Sequence, residues 1–226
     1  MRKTLFPALL LACLVLPGCS AKTDVSYQQP QRYPFENTMV YDAGLEKVWS
    51  AAVASVQGSF FVLDQLQKDA RTMTLSFMTE NPADYVDCGV LTYTTAGGMG
   101  GGETVTVAGA APVAKYMYGD GDSPPREVVR TATLAGKVTV VFSAEGKGKT
   151  RAVVTVRYTV AIANTGDMPV TYGYSEGVMP FKTSSAVIFS GGQTGRMHGG
   201  GLTQCVSRSV VEKNILEGIQ TALGAQ

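Results

Sequence analysis

One long run of alternating apolar and polar side chains, residues 151–163, constrains the fold of this chain more than any other feature. Alternate positions carry Val154, Val156, Tyr158, Val160 and Ile162, and the positions between them include Thr155, Arg157 and Thr159. A period of two places successive side chains on opposite faces of a strand, so one face is buried and the other is wet. Strands of this kind are typical of antiparallel sheets.

Shorter segments of similar character predict further strands. They span residues 38–41, 60–66, 72–78, 89–94, 103–108, 127–134 and 137–143. Glycine makes up 26 of 226 residues, against a usual share of roughly 7%, and it marks the turns. We expect loops at 97–102 and 120–125, and a hairpin turn at 146–150.

Two amphipathic helices flank these strands. The first follows Asp42, a candidate N-cap, and ends before Gly58, with apolar side chains at Leu45, Val48, Trp49, Ala52, Val53 and Val56. The second follows a capping box from Ser209 to Glu212, with apolar side chains at Val211, Ile215, Leu216, Ile219 and Leu223. We expect Trp49 to pack on a sheet rather than to stack on a ligand. The prediction is one α+β domain over residues 38–226, in which a curved antiparallel sheet packs against both helices.

The N-terminus has the pattern of an export signal. Arg2 and Lys3 precede an apolar run at 5–16, which is too short to span a bilayer. The sequence that follows, Leu16-Pro17-Gly18-Cys19, resembles the lipobox of bacterial lipoprotein precursors, although Pro17 replaces the usual small residue. Residues 1–18 are therefore predicted to be a signal peptide.

The resemblance to lipoproteins implies a lipid anchor and a location. Cys19 would carry a diacylglycerol on its thiol and a further acyl chain, such as palmitate, on its amine. Ser20 after the cysteine is compatible with export to the outer membrane, with the domain facing the periplasm. Residues 19–37 are polar and contain proline, so we expect a flexible tether that reaches up to roughly 50 Å.

The remaining cysteines fit an oxidising compartment. Cys13 leaves with the signal peptide and Cys19 takes lipid, so Cys88 and Cys205 remain as a predicted disulfide. A reactive thiol pair is the alternative, but the two do not form a C-x-x-C motif. His198 is the only histidine, and it cannot complete a tetrahedral zinc shell with two cysteines.

The charge balance argues against nucleic acid as a partner. The chain has 19 basic and 18 acidic side chains, and loss of Arg2 and Lys3 leaves 17 against 18. A nearly neutral chain gains little from counterion release on a phosphate backbone. We expect the protein to contact the membrane through its lipid anchor.

Three short motifs resemble catalytic or binding signatures but lack the required context. Ser175 lies in a G-x-S-x-G sequence, yet Pro180 interrupts the helix that a nucleophile elbow needs, and no suitable acid precedes His198. The segment 146–150 resembles the end of a phosphate loop but precedes a strand. The glycine-rich segment 191–201 holds Arg196 and His198, which could bind an anion. We predict no catalytic residue, cofactor or metal site.

The order of elements is similar to that of helix-grip domains in envelope lipoproteins, including an accessory lipoprotein of the β-barrel assembly machinery. This similarity covers residues 38–225, and it carries over no functional residue. It implies a non-catalytic accessory or assembly partner of an envelope complex, which is our leading hypothesis. A carrier that holds a lipid or another hydrophobic ligand between sheet and helices is the alternative. A hydrolase using Ser175 comes third.

Overall fold

The computed structural model describes residues 21–96, 102–122, 125–172, 175–199 and 201–225. The predicted signal peptide, Cys19 and most of the loop at 97–102 lie outside the described residues. The strands are β1 (Thr23–Gln28), β2 (Thr38–Tyr41), β3 (Val62–Gln67), β4 (Thr72–Thr79), β5 (Val86–Asp87), β6 (Val90–Thr95), β7 (Glu103–Ala108), β8 (Val113–Tyr118), β9 (Arg126–Ala144), β10 (Thr150–Tyr172), β11 (Ser175–Ser190), β12 (Thr194–Arg196) and β13 (Gln204–Ser207). The helices are α1 (Leu45–Val56) and α2 (Val210–Gly224), and a 3-10 turn spans Pro82–Asp84.

The fold is α+β and is built on a long antiparallel ribbon of β9 and β10. These strands pair from Thr150 with Ala144 to Gly166 with Val128. The largest sheet has the order β11-β10-β9-β4-β3, with β2 added beside β10 and β8 beside β9. The turn between β9 and β10 is the predicted hairpin at 146–150, which confirms that expectation.

Strand β9 replaces two predicted strands, because Gly136 does not interrupt it. Gly136 pairs with Phe77 of β4, and a Cβ on Gly136 would overlap the Phe77 ring. The glycine therefore makes room for an aromatic ring within a continuous strand. The two predicted segments, 127–134 and 137–143, are halves of one element.

Both predicted helices are present, and they pack on each other and on the hairpin end of the ribbon. Trp49 is buried in this core, edge-on to Phe142 at 5.6 Å, as expected. The first N-cap was wrong: α1 is capped by Gly44, while Asp42 pairs with Lys149 at 2.7 Å on the surface.

The predicted capping box at α2 does not form. Ser209 precedes the helix with φ 59° and makes no side-chain cap. Its hydroxyl donates instead to the carbonyl of Pro34 at 3.2 Å. Glu212 turns into the core and accepts a hydrogen bond from Tyr158, so it is not free to cap the helix.

The described strands form three sheets rather than the single expected one. A second sheet, β1-β6-β7, packs on the other end of the ribbon through a separate apolar cluster: Leu91, Tyr93, Val107, Tyr116 and Val128. A small third sheet, β12-β13-β5, lies beside β11. The β9–β10 ribbon is long enough to carry helices at one end and a sheet at the other.

The expected flexible tether is partly a strand. β1 pairs along its whole length with β6, and Ala21 before it is 1% exposed. Thr23 Oγ1 lies 2.7 Å from Thr95 Oγ1 and accepts the backbone N–H of Gly119 at 2.8 Å. The tether prediction was based on polar composition alone. The hydrogen bonds between β1 and the edge of β6 order this segment although its side chains are polar.

The predicted disulfide is present between Cys88 and Cys205, with an S–S distance of 2.02 Å. Both cysteines are fully buried. The bond joins the short connection between β5 and β6 to β13, at the point where the chain passes from the third sheet to the second.

Candidate functional site

A cleft of about 400 Å³ opens at the end of the ribbon that carries the second sheet. We call it the ribbon cleft. Its lining is mainly apolar and comes from β8, β9, β10 and β11: Tyr116, Tyr118, Arg126, Val128, Asn164, Met168, Phe181 and Thr183. Alternate residues of each strand face the cleft, because successive side chains point to opposite faces.

Arg126 is the charged group of the ribbon cleft. Its guanidinium lies 5.2 Å from the centre of the Tyr118 ring and 5.7 Å from that of Phe181. Its Nη1 pairs with Asp120 at 3.1 Å, and the side chain is 14% exposed. The Nε atom is buried and has no hydrogen-bond partner, so one donor of this cation is unused.

Asn164 adds an unused acceptor to the same lining. Its Nδ2 donates to Thr183 Oγ1 at 3.3 Å, while its Oδ1 is buried without a partner. Buried polar atoms in native proteins are nearly always hydrogen-bonded, and an exception calls for an explanation. A ligand or ordered water in the cleft would satisfy both unused atoms.

A second cation lies next to this lining, on the same face of β9 as Arg126 and Val128. Arg130 pairs across the ribbon with Asn164, is 2% exposed, and donates from Nη2 to Gly109 O at 2.6 Å. Its Nη1 is buried and has no partner. Desolvation lowers the pKa of Arg130 and raises that of the neighbouring Tyr116. Tyr116 in turn stacks on Tyr93 at 3.7 Å.

Gly166 explains how Phe181 reaches the cleft. The two residues pair across β10 and β11, and a Cβ on Gly166 would lie 2.7 Å from the Phe181 ring. Glycine lets the ring lie against the strand, where it forms one wall of the cleft. An apolar wall beside two cations suits a flat or elongated apolar group that ends in an oxygen acceptor or an anion.

The sequence motifs lie elsewhere. Ser175 begins β11, a strand, where a nucleophile elbow needs a helix. His198 and Arg196 are exposed near β12, and residues 146–150 form the hairpin turn. The structure does not bring these motifs together.

Sequence reasoning missed the residues of the ribbon cleft. Arg126, Asn164 and Phe181 come from three strands and meet only through pairing. The sequence did contain one signal. In β9, alternate residues that face inward are apolar, and Arg130 is an exception between Val128 and Ala132.

A second buried polar group lies in the core near the helices. The Tyr158 hydroxyl donates to Glu212 Oε2 at 2.8 Å, and Ser207 Oγ donates to the Tyr158 oxygen at 3.1 Å. Glu212 is fully buried, and desolvation raises its pKa. Its Oε1 has no partner and is packed close to Gly191. We assign this group to the packing of α2 on β10.

Within the described residues, no group of three or more His, Cys, Asp or Glu side chains could hold a metal ion. No helix of the described ranges is long and apolar enough to cross a membrane. Comparison with known proteins identifies no family, no curated protein and no solved structure that matches this chain.

Proposed function

We propose that this chain is a lipid-anchored lipoprotein on the periplasmic face of the outer membrane that acts by binding rather than by catalysis. The lipobox around Cys19 supports the anchor. The buried disulfide supports an extracytoplasmic location, because disulfides persist in oxidising compartments. The early and C-terminal helices that pack on one end of the sheet are compatible with a helix-grip arrangement.

The first candidate function is a carrier of an amphiphilic ligand. The observation that carries it is the ribbon cleft, where Arg126 lies between two aromatic rings with an unused donor. The apolar part of the ligand would contact Tyr116, Met168 and Phe181, and its acidic or carbonyl group would pair with Arg126. The sequence predicts a carrier cavity between the sheet and the helices, but that interface is packed with buried side chains. The carrier proposed here therefore uses the ribbon cleft instead.

Binding of a fluorescent fatty acid, dansylaminoundecanoic acid, tests this function. Arg126→Met keeps an unbranched, flexible side chain but removes its charge, and we expect at least a tenfold weaker affinity, about 1.4 kcal/mol. Arg157→Met is the matched control, because Arg157 is exposed on the opposite face of the ribbon. Equal affinities in the two variants, or no binding by the native protein, would contradict the carrier.

The second candidate is the accessory partner of an envelope complex, and the open edge of the largest sheet favours it. Among the described strands, β3 pairs only with β4, and its apolar side chains are exposed, with Val62 at 61%. Leu63 and Leu66 are also exposed. An edge strand of this kind is a template for an added strand from another protein.

Site-specific photocrosslinking tests this edge. A photoreactive residue at Gln65 in β3 should give one discrete adduct with an envelope protein in intact cells. The same residue at Thr155, which is exposed in the middle of the sheet, is the control. The accessory function is wrong for this edge if the two positions give the same products.

A further inference from the structure

Ala21, the first described residue, follows closely on the predicted site of acylation. Ala21 is buried, and its carbonyl accepts the N–H of Gly121 at 3.1 Å. The carbonyl of Lys22 accepts the N–H of Ala96 at 3.1 Å. Two residue steps separate Cys19 from Ala21, a reach of about 7 Å. An acylated Cys19 therefore holds this end of the domain against the bilayer.

Strand pairing shows which other elements share this end. Lys22 bridges to Asp120 just after β8, and Tyr118 of β8 pairs with Arg126 at the start of β9. The ribbon register places Gly166 opposite Val128, so Met168 lies level with Arg126. The end of β10 at Tyr172 and the start of β11 at Ser175 are therefore at the same end as Ala21.

Among the described residues, this hairpin projects beyond the strands beside it. Pairing of β10 with β11 continues to Tyr172 and Ser175, four residues past Met168. At about 3.3 Å per residue, the strands extend roughly 13 Å beyond the level of Arg126.

The part of the projection nearest the ribbon, residues 168–170 and 177–179, is apolar on both faces. Pro169 pairs with Val178, and Met168 pairs with Met179, so the two pairs lie on opposite faces. Val178 is 71% exposed, and Met179 and Pro169 are also exposed. A flat protein surface would cover one face of a hairpin, whereas the interfacial layer of a bilayer surrounds both.

We propose that residues 168–170 and 177–179 of this hairpin insert into the interfacial layer of the membrane that anchors Cys19. The inference rests on the proposed acylation of Cys19. The hairpin and the acyl chains are then two contacts with one bilayer, and they fix the orientation of the domain. The ribbon cleft opens beside the hairpin, since Met168 belongs to both, so the ligand of the cleft reaches it from the lipid.

Spin-label depth measurements on the full, acylated protein test the insertion. The protein is reconstituted in vesicles of phosphatidylethanolamine and phosphatidylglycerol, with a nitroxide on Val178→Cys or on Lys147→Cys. Lys147 is exposed in the turn at the far end of β9, whose 19 residues span roughly 60 Å. We expect the Val178 label to be accessible to oxygen and protected from a water-soluble nickel chelate, and the Lys147 label to show the reverse.

A second variant separates the hairpin from the anchor. Met179→Asp with Val178→Asp places charges on both faces at exposed positions, so the fold is preserved. A label at Asp167→Cys, an exposed position at the base of the hairpin, should then become accessible to the chelate while Cys19 stays acylated.

The outcomes distinguish the inference from the proposed function. A Val178 label as exposed to the chelate as the Lys147 label, on protein whose mass shows acylated Cys19, overturns the insertion and leaves the anchor intact. A mass without acyl chains overturns both the anchor and the inference.

Discussion

Removal of the Tyr158 hydroxyl should destabilise the protein by an amount that depends on pH. In Tyr158→Phe, buried Glu212 loses the hydrogen bond to Oε2, while Oε1 already has no partner. Hydrogen bonds to charged groups contribute about 1.5–3 kcal/mol, and neutral ones about 0.5–1.5. We expect a cost of about 2–3 kcal/mol at pH 8, where Glu212 has its greatest tendency to ionise, and about 1 kcal/mol near pH 4.5.

The sign follows from proton binding. Burial raises the pKa of Glu212 above its ordinary value of 4.5, so the folded state binds the proton more tightly than the unfolded chain. The free energy of unfolding therefore falls as the pH rises from 4.5 through the folded pKa. Loss of the Tyr158 donor raises this pKa further, so the fall extends to higher pH and its total is larger. Glu212→Gln removes the titration, so Tyr158→Phe in that background should cost the same at every pH.

Urea denaturation followed by the fluorescence of Trp49, the only tryptophan, measures these free energies. Tyr41→Phe is the matched control, because the buried Tyr41 hydroxyl donates to the neutral carbonyl of Leu216 at 2.9 Å. Its cost should not change over this pH range. The reasoning is refuted if Tyr158→Phe and Tyr41→Phe have equal costs at pH 8 and the same dependence on pH.

Two further substitutions test the packing of the strands. Replacement of Cys88 and Cys205 by alanine opens a loop with a sequence separation of 117, and the free energy of unfolding in urea should fall by up to about 5 kcal/mol; added reductant should then have no further effect. Gly136→Ala places a methyl group in the Phe77 ring, and should cost about 1–3 kcal/mol in the same assay; a neutral result would show that the ring moves freely.

Strands and helices with a regular hydrophobic period could be predicted from the sequence, and so could the disulfide. The alternation around Tyr158 and the helical stripe through Trp49 each report one element and its buried face. The pairing of Cys88 with Cys205 followed because no other cysteine was left to pair. These features depend on neighbouring residues or on simple counting.

The ribbon cleft was not readable, because it depends on register. Arg126 and Phe181 are separated by 55 positions, and they meet only because β9, β10 and β11 align as they do. The break predicted near Gly136 failed for a related reason. Glycine was taken as a turn signal, whereas Phe77 on another strand occupies the space it leaves.

The N-terminal strand gives the sharpest contrast between composition and structure. A flexible tether over 19–37 predicts that Thr23→Val has no effect on stability, because the side chain would be free in solvent. In the structure this substitution removes the acceptor of the Gly119 N–H and the contact with Thr95 Oγ1. Leaving a buried donor unpaired costs about 1–3 kcal/mol, and we expect a loss of this size in urea denaturation. Ser26→Ala, at an exposed position of the same strand, should be neutral. If both variants are neutral, β1 does not hold the domain close to Cys19, and the short reach from which we infer the membrane orientation is lost with it.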